Sequence, residues 1–237
     1  MSFTESEGCK VNLIRSNSSL YYCCWPVIFI FLGFFADAQD TSTREDTRNY
    51  DFFEALKYAD ARIWDKAIFH AEKVQSPSAL KLINWLRLRS SDGNFYEFSQ
   101  FLKENSHWPG LELLRTKGES LLVGNVKPKE VLDYFKGVFP KTGRGSLTLA
   151  KSLLLNGQQN AAETIVLVSW LTQTFNDSDF AEMRTRFVSV INNSNSERLN
   201  NMLWLELKDS VSQMLPFVSK EDQQMADVRL AIQSGSK

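Results

Sequence analysis

The chain has 237 residues, is 43% hydrophobic and carries a formal charge of −1. That length supports one sizeable core or an extended stack of small units. The balanced charge argues against a nucleic-acid partner, and the apolar content argues against a disordered chain.

The N-terminus differs from the rest. Lys10 and Arg15 precede an uncharged stretch from Leu20 to Phe35, followed by Ala36-Asp37-Ala38. A basic region, an apolar run and an A-x-A triplet are the three parts of a secretory signal. The run is shorter than the roughly 20 apolar residues of a spanning helix, and Pro26 and Gly33 weaken it further as an anchor. Residues 1–38 therefore read as a signal peptide cleaved after Ala38, with an uncleaved anchor as the alternative. No stable membrane span is expected after its removal. Cys9, Cys23 and Cys24 all lie in that segment, without a lipobox around them, so the mature chain is expected to hold together by apolar packing alone.

Residues 39–49 are polar and read as a flexible lead-in. Beyond them nearly every segment has helical periodicity. Helices are expected over 50–60 and 63–75, with a break near Ala61-Arg62. Ser76-Pro77 suits the N-cap and first turn of the next helix, which carries Leu80, Ile83, Leu86 and Leu88. Ser91-Asp92-Gly93 ends it, and Asn94 can cap a helix striped by Phe95, Phe98, Phe101 and Leu102. The polar knot from Asn105 to Gly110 reads as a helix-to-helix corner. In it Asn105 ends one helix, Trp108 folds back as a hydrophobic staple and Pro109 opens the next helix. A helix starting near Lys127-Pro128 should point Val131, Tyr134 and Phe135 inward. Residues 140–145 read as a turn, and further helices are expected over 147–155, 159–174, 179–191, 197–205, 209–217 and 221–233.

Two segments look alike. In 50–74, Ala55, Ala59 and Ala67 flank Trp64; in 145–170, Ala150, Ala161 and Ala162 flank Gly157. Each reads as two short helices with small residues at the crossing, which is what a stacked helix-pair repeat requires. The repeat is too degenerate to match the tetratricopeptide pattern. The expected fold is all-α, a superhelix or solenoid of stacked helix pairs over 50–237.

Few residues invite a chemical reading. His70 and His107 have no second His or Cys at ligand spacing, so no metal or cofactor is expected, and His107 beside Trp108 is expected to cap or pack. Gly143-Arg144-Gly145 could offer N–H groups to an anion, but no strand precedes it and a turn is the plainer reading. Asn176 and Asn192 open formal glycosylation sequons of a kind common by chance.

The stretches "FLKENSHWPG", "LRTKGESLL", "YFKGVFPKTGRGSLTLAKSLLLNGQQNAAETIV", "SERLNNMLW" and "VSQMLPFVSKEDQQMADVRLAIQ" resemble the N-terminal, U-shaped superhelical domain of the soluble lytic murein transglycosylases of Gram-negative bacteria. The likeness covers nearly all of the mature chain. It implies a periplasmic protein of peptidoglycan turnover, from a family that cleaves MurNAc–GlcNAc bonds and leaves a 1,6-anhydro end. In that family a glutamate of a separate C-terminal domain acts as acid and then base. The family motif is Glu-Ser followed by a Gly-Leu-Met-Gln segment. Here Glu119-Ser120 precedes Leu-Leu-Val-Gly-Asn, and no Gly-Leu-Met-Gln occurs. Glu119 is therefore expected to be a solvated helix carboxylate, and no catalytic residue is assigned. The superhelical region is expected to be incomplete at its C-terminal end. Its implied partners are peptidoglycan glycan strands or a separate catalytic domain. The alternative is a periplasmic helix-repeat scaffold that binds a protein or peptide. The last helix, with Met225, Val228, Leu230 and Ile232, should present an apolar face in need of a neighbour.

Overall fold

The computed structural model describes residues 38–124 and 126–235, with side chains from Arg44 onward. The segment expected to be a signal lies, up to Asp37 and with its three cysteines, outside the described residues. Every regular element among the described residues is helical. In chain order these are α1 (Ala38–Asp60), α2 (Trp64–Lys73), α3 (Pro77–Arg89), α4 (Phe95–Glu104), α5 (Leu111–Ser120), α6 (Pro128–Tyr134) and α7 (Gly143–Leu155). There follow α8 (Gln159–Thr172), α9 (Asp177–Arg186), α10 (Val188–Ile191), α11 (Asn195–Trp204), α12 (Lys208–Met214) and α13 (Lys220–Gly235). Short 3-10 turns at Asn192–Ser194 and Leu215–Phe217 complete the list.

Local chemistry explains most boundaries. Asn94 closes a capping box: its side chain accepts from the N–H groups of Tyr96 and Glu97, and the Asn94 N–H donates back to Glu97. Left-handed residues mark the junctions, with Arg62 (φ 57°) between α1 and α2, Gln75 (φ 55°) between α2 and α3, and Ser91 (φ 64°) between α3 and α4. Such a residue ends a helix and turns the chain back on itself. Trp108 stands edge-on to Phe101, their ring centroids 6.2 Å apart, as a staple across the 105–110 corner.

Some expectations need correction. The polar residues 39–49 continue α1 back to Ala38 instead of forming a loose lead-in. Extending a helix that is already nucleated costs little where Gln, Arg and Glu recur. Ser76 sits at the cap position of α3 without a side-chain cap bond. Pro109 lies outside α5, because Gly110 (φ 69°) is the N-cap; the Pro109 carbonyl accepts from the Trp85 indole at 3.0 Å. The expected turn at 140–145 is already helix from Gly143, because Thr142 caps it, its Oγ1 accepting from the Gly145 N–H at 3.0 Å. The helix foreseen over 179–191 breaks at buried Phe187.

Residues from Arg44 onward form one compact unit with two apolar clusters. The smaller joins α1, α2 and α3 around Ala55, Ala59, Ala67, Ala71 and Ile83. Its alanines let the helices approach closely, as the first repeat-like segment implied. His70 adds a polar tie there: its Nδ1 lies 2.8 Å from Asp51 Oδ1, and its ring stacks on Tyr58 at 5.5 Å. The larger cluster runs from Leu88 to Ala226. At its centre α7 and α8 form a tight hairpin, crossing where Ala150 and Ala162 are both fully buried. Ala161, also expected at the crossing, is exposed.

One core residue is a cation. Arg198 of α11 is 0% exposed, between Leu199, Met202 and the ring of Trp170. Its guanidinium carbon lies 4.4 Å from the Trp170 centroid and 5.2 Å from that of Phe175. It donates to the carbonyls of Trp170 and, at 3.0 Å, Gln173. Asn201 donates to Leu171 O at 3.1 Å beside it. Together they satisfy the last carbonyls of α8, where the helix dipole is negative. No carboxylate pairs with Arg198 among the described residues, and burial pushes the guanidinium down to about 10. Arg198→Ala is expected to cost about 3 kcal/mol, since it removes the ring stack and leaves buried carbonyls unpaired. Arg198→Lys should recover little of this, because an ammonium cannot lie flat on Trp170 while reaching both carbonyls. Urea denaturation of the two variants checks this.

Candidate functional site

Two segments singled out in the sequence meet in the structure. Glu119 ends α5, and residues 141–145 open α7. The Glu119 carboxylate is 1% exposed, not the solvated group expected. The Lys141 N–H donates to its Oε1 at 2.9 Å and its Oε2 at 3.0 Å. The Thr142 N–H and Oγ1–H each donate to Oε2 at 2.7 Å. The carboxylate is thus held by the two residues just before Gly143-Arg144-Gly145, whose own Gly145 N–H goes to Thr142 Oγ1 and to no anion. The physical reason is that a helix start leaves N–H groups unpaired and positive, and a buried carboxylate needs such donors.

The glycines are explained by close approach. A Cβ on Gly145 would fall on Glu119 Oε2 and lie 2.8 Å from its Cδ, and all three of its nearest neighbours would be Glu119 atoms. A Cβ on Gly143 would lie 2.5 Å from both the Thr174 carbonyl and Phe175 Cδ1. Between them Arg144 points the other way. Its Nε and terminal nitrogen reach the two oxygens of buried Asp179 at 3.0 and 2.9 Å. Asn176 also donates to Asp179, at 2.8 Å, and caps α9 by accepting the Asp179 N–H. The first sequon asparagine is therefore a helix cap.

Ser120 does not join Glu119 in a catalytic pair. It is exposed and its hydroxyl donates back to the Thr116 carbonyl at 3.1 Å. His107 is exposed and makes no hydrogen bond or ring contact among the described residues, where the expected cap or packing contact is not formed. Among the described residues no group of three His, Cys, Asp or Glu side chains is arranged to hold a metal. No helix among them is long and apolar enough to cross a membrane.

What the sequence reading did not single out is a groove of about 760 Å³ between α4, α5 and α6. Tyr96 stands at its edge, 54% exposed, and its hydroxyl donates to Glu130 Oε2 at 3.0 Å. Glu130 also accepts from the Lys127 N–H at the start of α6. The Phe95 ring lies 5.6 Å from Tyr96 and 5.1 Å from Tyr134, whose hydroxyl donates to Arg115 O at 2.9 Å. Arg115 and Asp133 face the groove, and their side chains make no hydrogen bond or ion pair with described residues. The only sequence signal was Tyr96 itself, an aromatic off the Phe95-Phe98-Phe101 stripe. Nothing local announced that α6 would face it.

No protein-family model, curated protein or solved structure matches the chain.

Burial holds the Glu119 carboxyl above its ordinary range, and the bonds from Lys141 and Thr142 only partly offset this. A carboxyl raised on folding favours the fold fully below its ordinary pKa. It loses that contribution as pH rises through the folded pKa. The stability advantage of the native protein over Glu119→Gln should therefore shrink as pH rises from about 4, read from urea midpoints at each pH. Glu119→Ala should cost about 3 kcal/mol at pH 7, because it strands two amides and a hydroxyl. In that background Gly145→Ala should become at least about 1 kcal/mol less damaging, whereas Gly143→Ala should stay as damaging as before. A double-mutant cycle in urea separates the two.

Proposed function

We propose that this chain is the superhelical, non-catalytic portion of a lytic murein transglycosylase, acting in the periplasm on the turnover of peptidoglycan glycan strands. The observation that carries the reading is the clamp between "GES" and "KTGRG". Both segments belong to the stretches that resemble the family's superhelical domain, and the one Glu-Ser pair in them is committed to packing. A carboxylate enclosed by three donors and the bulk of α7 has no access to a glycosidic bond. The helix packing supports a superhelix. Beyond sequence neighbours such as α2–α3, α4–α5 and α6–α7, the pairs α3–α5, α5–α7 and α7–α9 also touch, which is the pattern of stacked units. Incubated with murein sacculi, the purified protein should release no 1,6-anhydro muropeptides above a matched blank. It should co-sediment with the sacculi. Release of anhydro products would overturn the non-catalytic reading, and failure to co-sediment would remove the glycan role.

A second reading, a scaffold that binds a protein or peptide, is favoured by one surface. Met225, Val228 and Ile232 lie along one face of α13 and are exposed, while Ala226 is buried beneath; Leu230, expected on the same face, packs instead against the larger core. Exposed Trp204 lies nearby, stacked under Arg229 at 4.3 Å. Contiguous apolar surface of this kind promotes association. Sedimentation should show concentration-dependent self-association that Val228→Lys weakens; a monodisperse monomer at all concentrations would count against it.

A further inference from the structure

The groove beside Tyr96 combines three features. The first is a fixed aromatic platform. Tyr96 is held at its hydroxyl by Glu130 and at its edge by Phe95, yet half its surface is in solvent. An exposed ring pinned at both ends loses little freedom when a flat apolar surface stacks on it. The second is a set of uncommitted polar groups. Arg115 and Asp133 make no side-chain hydrogen bond or ion pair with described residues, and Glu130 Oε1 accepts no hydrogen bond from one. Arg115 and Asp133 supply a fork of donors and a pair of acceptors within one groove. The third is charge balance. Lys103, Arg115 and Lys136 line the groove against Glu104, Glu130 and Asp133, so neither a polyanion nor a polycation is favoured. The volume falls in the range of about 300–1,000 Å³ usual for small-molecule sites.

We propose that this groove binds an uncharged oligosaccharide, with the C–H face of one sugar ring on Tyr96 and its hydroxyls bonded by Glu130, Asp133 and Arg115. A sugar ring presents one apolar face and a rim of hydroxyls that donate and accept, which is the complement of a ring flanked by a guanidinium and carboxylates. The inference rests on the glycan reading above and gives it a location.

The test uses the full chain and two probes, a β-1,4-linked N-acetylglucosamine tetramer titrated by calorimetry and murein sacculi in co-sedimentation. The native protein should bind the tetramer. Tyr96→Ala should weaken binding about tenfold, a loss of about 1.4 kcal/mol. Tyr96→Phe, which keeps the ring, should stay within about threefold, roughly half that free-energy loss. Asp133→Ala, at an exposed position with no partner to lose, should also weaken binding and leave the thermal midpoint unchanged. Equal tetramer affinity in Tyr96→Ala and native protein would overturn the groove and leave the glycan reading standing. Sacculus binding without tetramer binding at millimolar concentration would do the same. If neither probe is bound, both fall.

Discussion

The Glu119 carboxylate sits on the unpaired N–H groups at the start of α7, and the middle of the molecule is organised around that contact. A charge so buried is tolerated only because the helix start supplies donors that would otherwise be unpaired themselves. The requirement spreads outward. Thr142 must both donate to Glu119 and cap α7, and Gly145 must lack a side chain to leave room for the carboxylate. Gly143 must lack one so that α7 can close on the segment after α8. Arg144, between them, is free to anchor the start of α9 through Asp179. Five consecutive residues thus tie α5, α7, the end of α8 and α9 together.

The end of α8, beside the start of α7 at the open end of the hairpin, has the opposite problem and the opposite solution. The last carbonyls of α8 carry negative partial charge inside an aromatic cluster, and Arg198 from α11 meets them with a buried cation. A carboxylate at the start of α7 and a guanidinium at the end of α8 both hold the open end of the hairpin, each borrowed from a helix outside it. Neither charge is paired with an ion of opposite sign. Glu119 is met by two backbone N–H groups and the Thr142 hydroxyl, and Arg198 by two backbone carbonyls and the aromatic rings around it.

That arrangement bears on function. The residues that look most chemical in the sequence, Glu119, Ser120 and the Gly-Arg-Gly segment, are consumed by internal contacts. The polar groups left uncommitted lie elsewhere, on the rim of the groove where α4 faces α6.

Helix content, most corners and the alanine crossings were legible in the sequence, because periodicity, caps and small residues act within a few positions of one another. The capping box at Asn94 and the stripe from Phe95 to Leu102 needed nothing else. Arg198 was half legible: it lies on the stripe of Asn195, Leu199, Met202 and Leu203, so its burial could be read, but not its ring stack on Trp170. The state of Glu119 was not legible. From α5 alone it looks like a solvated acid at a helix end, and its donors are 22 and 23 residues away, brought up by the packing of α7. The groove is the same case, since Tyr96 and Glu130 are 34 residues apart. The sequence by itself determined that the chain is helical and where most of its corners fall. Only the tertiary structure decided which charges are buried and which are free, because desolvation depends on what packs opposite a side chain, and that partner is rarely a neighbour in the chain.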